Sequence, residues 1–393
     1  MKNFYRLILS IIVATTSVLI SAAQNANSPV KVAVFAPVYL NDAFDGTDYK
    51  LGKSSLPKSL LPGLEFYNGI MLAIDSLNKE GVNAEISIFD SKQDAMSLDR
   101  MFKSHAMDSV GLMIAAITSP SELKYFGTQA LNKNIPFVSA TYPNYVGIKQ
   151  NPFFILLNSS FGTHINGLYK YMHRNYSMSE IIAIKKPGAT EDYIKNTINA
   201  LNKSNTSFPL KIKWVEVKDQ FASTDITRHL DSTKSNVVFV ASPLESFGVS
   251  VVEALGKNSV YNVTAVGMPT WDAIREFSRR GNDNVELIYS TPFNYSANEN
   301  LNRHITRTYR SKYYSRPSDM VFKGFETTYH FTKLLAKHRH NLVNNLSDKD
   351  FSVFNNFDIQ PVKIQASSVK PDYLENKKLY FVKKRNGAML SIY

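Results

Sequence analysis

Short apolar segments alternate with longer amphipathic segments over most of the chain. The short segments are rich in Val, Ile and Phe and are bounded by Gly, Pro, Asn and Asp, which is typical of buried strands. The longer segments carry apolar residues every three or four positions, as Phe66, Ile70 and Ala73 do, which predicts helices. Because the strands alternate with helices, we expect doubly wound parallel sheets of the α/β class.

The predicted elements form two sets of similar size, before and after residue 151. The first set has strands at 30–37, 84–89, 110–117 and 136–140 and helices at 64–78, 95–106 and 120–132. The second has strands at 153–157, 181–184, 211–217, 237–241 and 263–266 and helices at 162–174, 191–201, 224–232, 245–255 and 271–278. A chain of 393 residues exceeds what one core usually supports, so two lobes are expected.

The last third of the chain departs from this alternation. An extended segment at 287–293 precedes two long amphipathic helices at 298–313 and 319–337, and strand character returns at 362–364, 379–382 and 389–392. Helices that follow the second array can pack back onto the first lobe. We therefore expect lobe one to comprise 24–150 plus 291–340 and lobe two 151–290 plus 341–393. Three crossings are then expected, near Gln150, Ser290 and Asn341.

The first 23 residues have the pattern of a cleavable signal peptide. Lys2 and Arg6 precede an apolar run at 7–20, and Ser21 and Ala23 stand where a signal peptidase requires small residues. An uncleaved membrane anchor is the alternative interpretation. The sequence has no cysteine, which excludes a lipoprotein anchor. We therefore expect an exported, periplasmic protein.

Charge and motifs limit the function classes. The formal charge of +12 is spread along the chain, and its densest cluster is Lys383, Lys384 and Arg385, so nucleic-acid binding is not predicted. The sequence lacks a nucleophile elbow, a phosphate-binding loop and a zinc-protease motif, and it has no thiol nucleophile. No cofactor is predicted, and we expect that the protein is not an enzyme.

Five segments are characteristic in their order and spacing: VKVAVFAPVYL at 30–40, GLMIAAITSPSE at 111–122, NIPFVSATYP at 134–143, TDITRHLDSTKSNVVFVAS at 224–242 and NRHITRTYRSKYYSRPSDMVFKGFETTYHFTKLL at 302–335. Together with the order of the elements, these segments resemble the type I periplasmic binding fold of branched-chain amino acid-binding proteins. The resemblance implies two lobes joined by a three-crossing hinge that close on a small ligand. The long first loop, 40–62, departs from the family pattern.

Candidate ligand-binding residues in lobe one follow predicted strands. Thr118 and Ser119 end one strand, where hydroxyl and N–H donors can hold a ligand carboxylate, although Ser119 can instead simply cap the next helix. The resemblance implies that Ser139, Ala140 and Thr141 bind the carboxylate and amino groups of an amino acid. Tyr142 can cover an apolar part of the ligand or can pack against the protein.

Candidates in lobe two occupy the corresponding strand ends. The resemblance implies a polar contact at Thr190, and Ser242 ends another predicted strand. Trp271 can stack on a ligand or anchor the hinge. Asp272 can accept hydrogen bonds from an amino group or can complement a helix dipole.

The leading hypothesis is a solute-binding protein that delivers a small, amino acid-like ligand to a membrane permease or a sensor. The alternative is an envelope regulatory or scaffolding protein on the same fold that binds a protein or peptidoglycan partner. The alternative rests on the basic charge and on a second lobe whose strand ends match the family poorly.

Overall fold

The computed structural model describes residues 28–52, 56–205 and 208–392. The predicted signal peptide, residues 1–23, lies outside the described residues. Within those ranges, none of the helices has the length and apolar character needed to cross a membrane.

The chain forms two compact units and passes between them three times. The first unit ends at Leu157 and resumes from Asn298 to Leu374, and the second comprises Asn158–Ala297 and Glu375–Tyr393. These crossings differ from the expected positions near residues 150, 290 and 341. The largest difference is in segment 341–374, which belongs to the first unit because its backbone pairs there: the Asn151 N–H donates to the Asp372 carbonyl at 3.1 Å, and β14 lies beside β7 in the sheet.

The first unit is built on a seven-stranded sheet of order β13-β14-β7-β6-β5-β1-β4. Its strands are β1 (Val30–Ala36), β4 (Ala84–Asp90), β5 (Val110–Ala115), β6 (Phe137–Ser139), β7 (Phe154–Leu156), β13 (Ile359–Val362) and β14 (Tyr373–Asn376), with a separate hairpin of β2 (Phe44–Asp45) and β3 (Asp48–Tyr49). Its helices are α1 (Leu40–Ala43), α2 (Leu61–Lys79), α3 (Ala95–Lys103), α4 (Pro120–Lys133), α9 (Glu299–Tyr313) and α10 (Asp319–His338), with 3₁₀ turns at His105–Met107 and Arg339–Asn345. Strands β4, β1, β5, β6 and β7 are mutually parallel, so their carboxyl ends share one edge.

The second unit is built on another seven-stranded sheet, of order β16-β15-β12-β11-β10-β8-β9. Its strands are β8 (Glu180–Lys185), β9 (Lys211–Glu216), β10 (Ser235–Val240), β11 (Asn262–Gly267), β12 (Val285–Thr291), β15 (Tyr380–Arg385) and β16 (Ala388–Ile392). Its helices are α5 (Phe161–Tyr176), α6 (Ala189–Ser204), α7 (Ser223–Thr227) and α8 (Glu245–Gly256), with 3₁₀ turns at Pro269–Ala273 and Glu276–Ser278. Five strands are parallel, and β15 and β16 add an antiparallel edge.

The predicted fold class is confirmed, because both units have parallel-dominated sheets with flanking helices. Three local features differ from the expectations. The helix predicted at 271–278 is instead two 3₁₀ turns, the loop at 40–62 contains the β2–β3 hairpin, and strand β14 was not predicted.

Helices α2 and α10 approach closely through two glycines. A Cβ atom on Gly69 would lie 2.1 Å from the Val321 carbonyl oxygen, and one on Gly324 would lie 2.2 Å from the Phe66 carbonyl oxygen. Only glycine allows this backbone separation. The contact fixes the position of α10 in the first unit.

Candidate functional site

The carboxyl edge of the first sheet is organised by the carboxylate of Asp90, the last residue of β4. Its two oxygens accept hydrogen bonds from the backbone N–H groups of Val38, Tyr39 and Leu40, at 2.8–3.3 Å, and from the Lys92 N–H at 2.9 Å. These bonds hold the segment after β1 against the segment after β4. The side chain of Lys92 is thereby placed at the same edge.

Lys92, Thr118 and Glu122 form a polar cluster at the end of β5. One carboxylate oxygen of Glu122, Oε2, accepts the Thr118 N–H at 2.9 Å, the Thr118 hydroxyl at 3.0 Å and the Lys92 ammonium at 3.0 Å. Lys92 also donates to the Thr118 hydroxyl. The side chains of Glu122 and Lys92 are 9% and 18% exposed. The donors expected to hold a ligand carboxylate at Thr118 are therefore already bonded to a carboxylate of this chain.

Ser119 is the N-cap of α4, and its hydroxyl accepts the Glu122 N–H at 3.3 Å. The Thr141 hydroxyl donates to the Ile117 carbonyl at 2.7 Å. Ala140 is fully buried, and Tyr142 packs partly buried against the first unit's core. Each of these residues thus has a structural role at the predicted edge.

Three buried polar atoms at this edge have no hydrogen-bond partner among the described residues. They are the hydroxyl oxygens of Ser91 and Ser139 and the second carboxylate oxygen of Glu122, Oε1. Ser139 is completely buried at the end of β6. Unpartnered buried polar groups are costly and mark positions where a further partner is expected.

Sequence reasoning missed Lys92 and Glu122. The Ser-x-x-Glu pattern at 119–122 signals a capping box, in which the glutamate would bind the N–H of the cap residue. In the structure the glutamate instead binds the N–H of Thr118, one residue earlier. Lys92 has no local signal, because it reaches Glu122 from a different strand.

In the second unit, the Ser242 hydroxyl is also bonded to an internal carboxylate. It donates to buried Glu191 at 2.6 Å, whereas Thr190 is exposed at the start of α6. The carboxylate of Glu375, in β14, bonds to the start of α5. It accepts the Ser160 N–H at 2.8 Å and the Thr163 hydroxyl at 2.6 Å. Burial favours the neutral form of Glu375, but hydrogen bonds from Lys377 and Thr163 outweigh it and lower its pKa.

The structure places Trp271 and Asp272, two predicted site residues of the second unit, in supporting positions. Trp271 is fully buried in the second unit's core, 4.9 Å from the ring of Phe277, so its ring is not free to stack on a ligand. The ring fits there because Gly248 and Gly267 leave space for it. Asp272 is exposed and accepts the Tyr289 hydroxyl at 2.9 Å, so it supports β12 rather than an amino group.

Neither a protein-family model nor a curated protein matches the chain. Solved structures match it closely in architecture. A substrate-binding protein of an ABC transporter from Desulfitobacterium hafniense, solved in complex with Leu, has a TM-score of 0.55 at 13% identity, over 93% of this chain and 100% of that chain.

Two further structures match over nearly their whole length. A candidate branched-chain amino acid ABC transporter protein from Rhodospirillum rubrum has a TM-score of 0.62 at 13% identity, over 92% of this chain and 99% of its own. A periplasmic ligand-binding protein of a branched-chain amino acid ABC transporter from Burkholderia xenovorans has a TM-score of 0.58 at 11% identity, over 92% and 95%. The chain therefore has the fold of type I periplasmic binding proteins.

Proposed function

We propose that this chain is an exported, periplasmic solute-binding protein that closes on a small ligand and delivers it to a membrane permease or a sensor. The observation that carries the proposal is the Ser139 hydroxyl, which is completely buried without a partner at the carboxyl edge of the first sheet. Ligands in open α/β sheets bind at this edge. The fold, shared with substrate-binding proteins of transporters, supports the same function.

The experiment is a thermal-shift screen against amino acids, amino alcohols, sugars and nucleosides, followed by Ser139→Ala. A true ligand raises the melting temperature by mass action. Because the Ser139 hydroxyl has no partner, its removal should leave the unliganded melting temperature unchanged or slightly higher. We expect the ligand-induced shift to be lost.

Thr332→Ala is the matched control. Thr332 is a fully buried residue of the same unit, and its hydroxyl also lacks a partner among the described residues. It lies on α10 one turn before Leu335, which contacts Gly111 at the start of β5 and so is remote from the carboxyl edge. Thr332→Ala should keep the ligand shift. Equal loss in both variants, or no ligand in the screen, contradicts the proposal.

A second candidate function, binding of an acidic protein partner, is favoured by helix α9. Its buried face carries Ile305 and Tyr309, and its exposed face carries Arg303, Arg307 and Arg310 at helical spacing. Arg303 pairs with Glu299 at 3.4 Å, whereas Arg307 and Arg310 have no ion-pair partner in the part of the chain that the structure describes. Unpaired guanidinium groups, as Arg307 and Arg310 carry, are complementary to carboxylates.

Charge reversal tests this second candidate. The triple variant R303E, R307E and R310E should abolish binding of a labelled polyglutamate peptide, measured by fluorescence anisotropy at low salt. Reversal of three exposed lysines of the same unit, Lys58, Lys79 and Lys124, changes the net charge equally and should preserve binding. If both triples lose binding equally, only the net charge matters and α9 is not a binding surface.

A further inference from the structure

Glu122 occupies the position at which a ligand carboxylate was expected. Its Oε2 atom accepts three hydrogen bonds at the end of β5, from the Thr118 N–H, the Thr118 hydroxyl and the Lys92 ammonium. Hydrogen bonds in which the donor or the acceptor is ionised, as the Glu122 carboxylate is here, are about twice as strong as bonds between neutral groups. A ligand carboxylate would have to displace Glu122 and leave it beside a second negative charge.

The polar atoms that remain without partners at this edge are acceptors or hydroxyls. The Glu122 Oε1 atom is a buried acceptor, and the Ser139 hydroxyl can both accept and donate. Neither can neutralise an anion. Both can accept hydrogen bonds from hydroxyl or ammonium groups of a ligand.

We infer that Glu122 serves as a built-in carboxylate of the site and that the solute binds the first unit through hydroxyl or ammonium donors, without a carboxylate at Thr118. This inference rests on the proposed solute-binding function. It assigns the ligand to neutral or cationic compounds, such as amino alcohols, amines or polyols, in place of the zwitterionic amino acids expected from the sequence.

Removal of the built-in carboxylate tests the inference without a known ligand. In E122A, the side chains of Lys92 and Thr118 lose their shared acceptor, and a small carboxylate can take its place. We expect acetate or propionate to raise the melting temperature of E122A saturably, by roughly 2–4 °C relative to chloride at equal ionic strength. The wild-type protein should show no such difference.

Glu85→Ala is the matched control for this experiment. Glu85 also pairs with a lysine of the first unit, Lys31, at 3.5 Å, but both side chains are well exposed on β4 and β1. Its removal should create no acetate response. If E122A does not fold, E122S keeps a hydroxyl to bond Thr118 and still leaves room for acetate. The absence of any carboxylate-specific stabilisation in a folded variant overturns the inference.

Paired ligands on the wild-type protein test the ligand class. Each amino acid is compared with the amino alcohol in which a hydroxymethyl group replaces the carboxylate, as in leucine and leucinol. Sugars are tested separately. We expect melting-temperature shifts with amino alcohols or sugars and none with the matching amino acids. A shift with an amino acid but not its alcohol overturns the inference. If no compound shifts the melting temperature of the wild-type protein while acetate stabilises E122A, the role of Glu122 as a built-in carboxylate is supported and the proposed solute-binding function is contradicted.

Discussion

Glu326 is a buried carboxyl group that holds a loop of the first unit. It is 1% exposed on α10 and accepts the N–H groups of Phe354 and Asn355 and the Asn355 side-chain amide, at 2.6–3.1 Å. Burial raises its pKa to about 7, although the hydrogen bonds from Asn355 and Phe354 oppose this increase. The folded protein therefore binds a proton here more tightly than the unfolded chain does.

This difference makes stability depend on pH, and the sign follows from proton binding. Between pH 4.5 and about 7 the folded state holds the proton and the unfolded state releases it, so stability falls as pH rises through this range. The loss is roughly 3 kcal/mol. We expect E326Q to lack this loss, so that urea unfolding at pH 5 and pH 8 shows the wild type losing more stability than the variant. An equal pH dependence in both proteins would exclude Glu326 as its source.

At the scale of elements, the α2–α10 contact leaves no room for a larger residue at its two glycines. Gly324→Ala would place a methyl group 2.2 Å from the Phe66 carbonyl, so the two helices must separate. We expect a loss of several kcal/mol, as in other overpacked cores and strained backbones, measured by denaturant unfolding. Gly162→Ala is the control, because a methyl group there meets nothing closer than 3.6 Å on helix α5. It should be neutral or stabilising, since alanine favours helices.

The elements themselves could be predicted because their hydrophobic periodicity is local. The exception at 271–278 is instructive: Trp271, Ile274 and Phe277 recur every three residues and are all buried. A three-residue spacing is that of a 3₁₀ helix, which explains why the structure has two short turns where a helix was predicted.

The candidate site could be predicted only in part. The edge that carries Ser119, Ser139 and Thr141 follows from strand order, because parallel strands end at one edge. The partners of these side chains depend on tertiary contacts: Lys92 reaches Glu122 across 30 positions of the sequence. Spacing along the chain contains no information about such contacts, so the built-in carboxylate was not foreseen.

At the scale of the whole molecule, acid acts differently on the two units. In the second unit, His164 on α5 contacts the Ser290 hydroxyl at 2.8 Å, and burial lowers its pKa to about 4, with Glu375 opposing this shift. In the first unit, burial also lowers the pKa of His330, but Glu326 has the opposite effect on stability. Between pH 6.5 and 4, His164 therefore lowers the stability of the second unit, whereas Glu326 raises that of the first.

The sign for His164 is the reverse of that for Glu326. As pH falls from 6.5 towards 4, the unfolded chain binds a proton that the folded second unit excludes, so this unit loses roughly 3 kcal/mol of stability.

Both tryptophans of the chain, Trp214 and Trp271, lie in the second unit, so their fluorescence reports on that unit alone, whereas far-ultraviolet circular dichroism reports on both. We expect the fluorescence transition to precede the dichroism transition during acidification. His164→Asn, which can retain the bond to Ser290, should move the fluorescence transition to lower pH and leave the remaining dichroism change in place. Coincident transitions in the wild type, or an unmoved fluorescence transition in the variant, would show that His164 does not set the acid stability of the second unit.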